Sequence, residues 1–284
     1  MLTYKHLREY RPPEARATYG TREVILYALA VGAGADLPAG EALPFVYEKG
    51  LKPLPSFYSI LCWPTNAWLP QLGVDLKRLL HGSERLEILQ PLAPEGSIVV
   101  RYHIGTVADR GAGKGLIVDV VAEVFSASDN SLLARATSSL FCMGDGGLDG
   151  APRAERVEPE PLPDRGPDGI LEVETRPDQA ALYRLCGDGN PIHIDPDAAR
   201  GLGLEKPLLH GLCTLGMSVH ALARQDARVA DGLVAEVGAR FSAPVYPGER
   251  LRLELWREEG RIRFVTKVGA DRTVLKDGVL GFRR

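Results

Sequence analysis

Cysteine is scarce in this chain. Its four cysteines, Cys62, Cys142, Cys186 and Cys213, are scattered and form no Cys-x-x-Cys pair. That excludes a disulfide framework and a thiolate metal cage, and each reads as a small buried hydrophobe. Cys186 and Cys213 lie near the sharpest break in the sequence, where a nucleophilic thiol is the lesser reading. Long apolar runs are missing too: none approaches the ~20 residues that span a bilayer. The opening stretch MLTYKHLREYRPPEARATYG has no apolar leader core, and the closing GFRR is no retention or peroxisomal address. The expectation is a cytoplasmic protein with no membrane partner. A lysine or arginine block is also lacking, and the net charge is -3, which argues against nucleic acid as a partner. A small cationic pocket for an anionic ligand stays compatible with that balance.

What is present is an ordinary globular composition: 284 residues, 45% hydrophobic and 25% charged. That length suits one large domain or two small ones. Residues 144–169, rich in glycine, proline and charge, read as a surface linker. The boundaries drawn from it are 1–148, a linker over 149–168, and 169–284.

The two flanking halves share a grammar. REVILYALAVGAG and DQAALYRLCGDG are both helical apolar runs that stop in glycine, with Tyr27 and Leu29 matching Tyr183 and Leu185. LQPLAPEGSIVVRYHI and FSAPVYPGERLRLELW both lead through prolines and a glycine into β-rich runs. Further strands follow in each half, with period-2 alternation such as Arg250, Arg252 and Glu254 against Leu251, Leu253 and Leu255. One wet face and one dry face need a helix to cover the dry one. LHGLCTLGMSVHALARQ supplies it, with Leu212, Leu215, Val219 and Leu222 at helical spacing. The predicted fold class is α+β: two modules, each an antiparallel sheet wrapped on one apolar helix.

Three motifs fail on inspection. Gly32-Ala33-Gly34 opens like a dinucleotide fingerprint, but Leu37 stands where the third glycine belongs. GAGKG at 111–115 has Gly115 where a phosphate loop needs serine or threonine, and reads as a hairpin turn. Asp188-Gly189-Asn190 starts like a calcium loop, yet Ile192 occupies the third ligand position. His193 and Asp195 have no evident third metal ligand, so no metal is expected.

The break itself is ALYRLCGDGNPIHIDP. Turn chemistry explains much of it: Gly187 can cap a helix, Asp188 and Asn190 suit a turn, and Asp195-Pro196 can start the next helix. It does not explain a carboxylate and an imidazole, Asp188 and His193, set so close between apolar helices with an amide at Asn190. Such a set can hold one water molecule, and histidine titrates near neutrality. Downstream, His210-Gly211 falls at a helix N-terminus, where free N–H groups and the missing Cβ of Gly211 admit a carbonyl oxygen. Acid, base, water and oxyanion donor together describe adding water to a double bond conjugated with a thioester.

Those two stretches, ALYRLCGDGNPIHIDP and KPLLHGLCTLG, resemble the signature of the MaoC-like, R-specific enoyl-CoA hydratases, or hydratase 2. YALAVGAG, FVYEKGLKPLPSF, LHGSERLEILQPL, FCMGDGG and ARFSAPVYPGERL extend the resemblance, in order, to the hydratase region of the peroxisomal type 2 multifunctional enzymes. The resemblance implies a double hotdog fold, with a degenerate acyl-binding hotdog over 1–148 and the catalytic one over 169–284. It implies reversible hydration of trans-2-enoyl-CoA to (3R)-3-hydroxyacyl-CoA in acyl-CoA metabolism, without metal or redox cofactor. It implies an acyl-CoA thioester as partner and a homodimer.

Position by position, the resemblance makes Asp188 and His193 the catalytic pair, Asn190 a helper in holding water, and Gly211 the oxyanion donor. Asp188 would take a proton from water while His193 delivers one to Cα. The reverse order stays open, since a coupled pair shares its titration. His81, Gly82, Arg110 and Phe241 fall where the family contacts acyl-CoA, as do Gly189, Pro191 and Ile192 in the motif, and Glu48 in FVYEKG supports the site. Gly189 replaces a tryptophan and Arg110 a lysine of the eukaryotic members, which leaves chain-length preference open. No dehydrogenase or carrier segment accompanies the motif, so a free-standing hydratase is expected. A hotdog thioesterase and a non-catalytic acyl-CoA-binding subunit are the alternatives.

Overall fold

A computed structural model describes residues 2–34, 42–63, 68–155 and 158–283. Leu37 and positions 156–157 of the linker lie outside them. Ten strands form: β1 (Ala15–Tyr19), β2 (Leu79–Ile88), β3 (Gly96–Asp109), β4 (Leu116–Ser126), β5 (Leu132–Cys142), β6 (Gly169–Glu174), β7 (Val234–Phe241), β8 (Arg250–Glu258), β9 (Arg261–Val268) and β10 (Arg272–Phe282). The helices are α1 (Tyr4–Glu9), α2 (Thr21–Ala30), α3 (Leu43–Val46), α4 (Phe57–Leu61), α5 (Gln179–Tyr183), α6 (Pro196–Gly201), α7 (Gly211–Ala223) and α8 (Ala227–Ala230).

The alternation read from the sequence becomes two meanders, β3-β4-β5 and β8-β9-β10, and GAGKG is the turn between β3 and β4. Strand order is β1-β3-β4-β5-β2 in the first half and β6-β8-β9-β10-β7 in the second. The second half thus repeats the first strand for strand, which is the double hotdog. The outward residues of the sheet pair across strands, as in Lys267–Glu254, Arg135–Glu123 and Arg135–Glu87. Each such exposed pair is worth about 0–1 kcal/mol, so they keep this face solvated more than they hold it together.

Two features differ from the sequence-based expectation. The halves do not form separate sheets: β2 and β7 pair antiparallel, with Arg85 opposite Gly238 at the middle of the seam, and all ten strands join. Each half would otherwise leave a long edge unpaired, and the two edges satisfy each other. The helices are also unequal. α7 has 13 residues, all buried but Gly211, so it is covered on every side and not along one stripe. Its counterpart in the first half is the five-residue α4, which follows the break at Pro53 and Pro55 and packs on β2, β5 and α7.

The common core lies between the halves. Gly216, in the middle of α7, faces Val31 and Tyr27 from α2 and its end. A Cβ there would lie 2.6 Å from Val31 Cγ1 and 2.7 Å from the Tyr27 hydroxyl. Leu215, Val219 and Leu222 of α7 are fully buried, each contributing about 1.5–3 kcal/mol. This packing carries the first turn of α7 to the centre of the molecule, beside the seam.

Candidate active site

The break after α5 is built by local hydrogen bonds. The helix runs on as a tight turn over Arg184–Cys186 and ends at Gly187, whose φ of 138° suits glycine. Asp188 Oδ1 accepts from the Asn190 N–H at 3.2 Å, and Asn190 Oδ1 accepts from the Ile192 N–H at 3.2 Å. Pro191–His193 makes one 3-10 turn, and Asp195 caps α6 by accepting from the Asp197 N–H at 2.8 Å. These turns fold the chain so that Asp188 and His193 face each other across the loop.

A third side chain joins them. His210, the N-cap residue of α7, offers a ring nitrogen that lies, with those of His193 and the Asp188 carboxylate, in a cluster within 4.8 Å. The rings of His193 and His210 stack with centroids 3.6 Å apart, and Tyr183 backs His210 at 4.8 Å. In the sequence His210 stands out only as the neighbour of Gly211. Its signal was present, a histidine at the start of a helix, but its contact with His193 is made across 17 residues of chain.

Each imidazole is tethered to a carbonyl, and that fixes its tautomer. His193 Nδ1 lies 2.9 Å from the Leu208 carbonyl, which only accepts, so Nδ1 carries the hydrogen and the neutral ring keeps its lone pair on Nε2. His210 Nε2 donates to the backbone carbonyl of Asp188 at 3.1 Å. Burial pushes the His193 pKa below 6.5, opposed by the Asp188 carboxylate and then by the bond to Leu208. Burial, and then the neighbouring His193, push His210 down to about 2. Both rings are neutral at pH 7.

Gly211 begins α7, whose N-terminus has no side-chain cap, so its first N–H groups are free to receive an anion. The place of its missing Cβ is taken by Phe241 at the end of β7: a Cβ would stand 2.9 Å from the ring. Glycine is therefore required here by the phenyl ring as well as by any incoming oxygen. The ring of His81 packs on Phe241 at 4.7 Å and that of Trp63 on His81 at 4.4 Å. His81 and Phe241 thus come together at the seam although 160 residues separate them.

The predicted residues divide accordingly. Asp188, Gly189, Asn190, Pro191, Ile192 and His193 share one loop, and a Cβ on Gly189 would meet nothing within 4 Å, so its side is open. Gly211, Phe241, His81 and Gly82 form the second cluster, and His210 joins the two. Arg110 meets the second cluster only through Phe141, whose Cβ would lie 4.0 Å from a Cβ on Gly82, and no bond joins Glu48 to either cluster among the described residues. Arg110 is exposed at the β3–β4 turn with its guanidinium over Phe141, 4.8 Å from the centroid. Glu48 lies in an exposed turn beyond α3, with no bond to a site residue among the described residues. Cys186 is no nucleophile: burial pushes its pKa up to about 12, and Cys213 is fully buried and likewise raised.

The Asp188–His193–His210 cluster has the residue types of a metal site but not the geometry. An ion bound by imidazole sits close to the ring plane, about 2.0–2.1 Å from nitrogen. Two rings stacked at 3.6 Å and 24° cannot both hold one ion in plane.

The family described as MaoC like domain matches residues 159–279, and that described as MFE-2 hydratase 2 N-terminal domain matches 18–144. The chain is 38% identical over 267 residues to peroxisomal multifunctional enzyme type 2 of Mus musculus, covering 91% of this chain and 36% of that one. It therefore spans little more than a third of that relative's length. Against 3-hydroxyacyl-thioester dehydratase Y of Mycobacterium tuberculosis it is 38% identical over 273 residues, covering 92% of each. The crystal structure of a MaoC-like dehydratase from Phytophthora capsici superposes with a TM-score of 0.83 at 28% identity, over 99% of this chain and 98% of that one. Both halves, their order and the fold agree throughout: the chain belongs to the MaoC-like hydratase 2 family.

Proposed function

We propose that this protein reversibly hydrates trans-2-enoyl-CoA to (3R)-3-hydroxyacyl-CoA. The observation that carries the reading is His193: neutral, with Nδ1–H tied to Leu208, it presents the basic Nε2 beside Asp188. In the reaction a water held by Asp188 and His193 gives its proton to Nε2 as its oxygen bonds to Cβ. The Asp188 carboxylate favours the imidazolium as it forms. Electrons of the double bond move to the thioester oxygen, where the free N–H groups at Gly211 receive the enolate charge. The pair then returns one proton to Cα, so that H and OH have been added and the pair is as it began. This order makes His193 the base, the reverse of the first assignment from the motif. The amide nitrogen of Asn190, whose oxygen is engaged at Ile192, is left to hold the water.

The names of the relatives support the same chemistry, since one is a 3-hydroxyacyl-thioester dehydratase and a matched family is a hydratase 2 domain. No metal or redox cofactor takes part in this scheme; activity is expected to survive dialysis against a chelator. A cytoplasmic location fits four free cysteines, which suit a reducing compartment; among the described residues no helix is long and apolar enough to cross a membrane. A homodimer is supported by exposed Leu29, Leu43 and Leu185 on neighbouring elements beside the loop, and light scattering would measure it.

The test is hydration of crotonyl-CoA and longer enoyl-CoA esters, followed by loss of enoyl absorbance, with product chirality determined and a thiol-reactive dye present. Asp188→Asn and His193→Ala are expected to lower kcat at least about 100-fold with the fold intact. Release of free CoA thiol would identify a thioesterase instead, and ligand binding without turnover a binding subunit.

A further inference from the structure

The strand β2 carries a buried carboxylate that the reaction above does not use. Glu84 exposes 1% of its side chain. Its Oε2 accepts from the Ser138 hydroxyl at 2.6 Å and from His81 Nε2 at 3.2 Å, while Oε1 has no partner among the described residues. Burying a carboxylate with one oxygen unpaired is costly. The pseudo-symmetry of the fold shows that the position does not demand it. Arg85 and Gly238 pair at the centre of the seam, so the residues just before them, Glu84 and Val237, are counterparts, and Val237 is fully buried core.

A bulge explains how Glu84 reaches His81. Residues three apart on a regular strand point to opposite faces. Between His81, opposite Leu140, and Ser83, opposite Ser139, β2 carries Gly82 as an extra residue. The bulge puts His81 and Glu84 on the same inner face, and such devices re-aim side chains beside active sites. A Cβ at Gly82 would press on the Ser139 carbonyl at 3.2 Å. The Nε2–H of His81 is shared between Glu84 Oε2 and the Ser83 carbonyl, at 3.2 and 3.0 Å, which locks the ring. Locked, it stands between Trp63 and Phe241, and Phe241 rests on Gly211.

We infer that Glu84 is a positioning residue: through His81 it holds Phe241 against Gly211, and so sets the oxyanion site of the second half from a strand of the first. The inference rests on the hydratase reading for its kinetic consequence. The first half then contributes to the rate, and not to acyl binding alone.

Glu84→Leu and Glu84→Gln separate this from a structural role. With leucine the buried polar group and its unpartnered oxygen are gone, so the melting temperature is expected to stay level or rise, while kcat falls about 10- to 100-fold with KM little changed. Glutamine keeps an acceptor for His81 and is expected to recover kcat to within about threefold of the parent. Should Glu84→Leu fail to fold, His81→Phe keeps the ring without its donor, and kcat is expected to fall about tenfold. A crystal structure of Glu84→Leu is expected to show the phenyl ring moved off Gly211. A kcat within twofold of the parent in Glu84→Leu (or in His81→Phe as its substitute), a Phe241 ring that does not move, or Glu84→Gln as slow as Glu84→Leu overturns the inference. If the parent itself hydrates no enoyl-CoA, the functional reading fails, and the position of the Phe241 ring still decides the relay.

Discussion

His193 and His210 lie ring against ring, 3.6 Å between centroids and 24° between planes. Two imidazoles in such contact cannot both carry charge at low cost, since like charges disfavour one another. Burial decides which one yields: His210 is held at about 2, so His193 titrates beside a neutral neighbour. The stack also ties the break to the first turn of α7, because His210 bonds the Asp188 carbonyl and precedes Gly211.

The pH dependence follows from that pair. The base form of His193 is present above its pKa, which burial places below 6.5. The rate kcat/KM should stay level from neutral pH to below 6.5 and fall only as pH drops through the lowered pKa. The Asp188 carboxylate raises this pKa, so the residual activity of Asp188→Asn should show its acid limb at still lower pH. A profile recorded from pH 4 to 8 checks both; an acid limb above 6.5 would contradict the neutral-base assignment.

Gly211→Ala tests the contact between helix and ring. The added Cβ would stand 2.9 Å from Phe241, so ring or helix must shift. A loss of about 10- to 100-fold in kcat is expected, with modest change in stability. A second substitution, Phe241→Leu, should recover part of the rate by making room. Steady-state kinetics of the single and double variants measure the coupling.

Acid stability is expected to depend on His220. Burial, and then Arg224, push its pKa down to about 4, and its ring sits edge-on to Phe45 with Nε2 unpartnered. Below 6.5 the unfolded chain takes up a proton that the folded chain refuses. The stability present above 6.5 is therefore lost as pH falls toward 4, by roughly 3 kcal/mol. His220→Leu should flatten the dependence of melting temperature on pH over that range. Equal slopes for parent and variant would remove His220 as the cause.

Gly216→Ala probes the joint between the halves. Its Cβ would overlap Val31 Cγ1 and the Tyr27 hydroxyl at 2.6 and 2.7 Å. Overpacking there should lower unfolding free energy by about 1–3 kcal/mol in denaturant titration.

Parts of this arrangement were legible before the structure because they are local. Period-2 alternation, as in Arg250 to Leu255, marks strands whatever lies beside them, and the meanders were read where they occur. The loop from Gly187 to Asp195 was legible because each of its turns is closed by a residue two or three positions away. The helix at α7 was legible from its spacing, but its burial on all sides was not, since the second cover is α2 and α4 from the other half. Arg110 and Glu48 were assigned through resemblance alone, and the described geometry joins neither to the loop.

By itself, then, the sequence determined the strands of the two meanders but not β1, β2, β6 or β7, together with the helix that starts at Gly211 and the turn that faces Asp188 toward His193, because short-range hydrogen bonds and side-chain periodicity act within a few residues. Only the tertiary structure decided that β2 pairs with β7, that His210 stacks on His193, and that a bulge at Gly82 aims His81 and Glu84 at Phe241. Those contacts join residues far apart in the chain, and an unpaired strand edge, a buried ring or a bulge chooses its partner by packing, which no local pattern records.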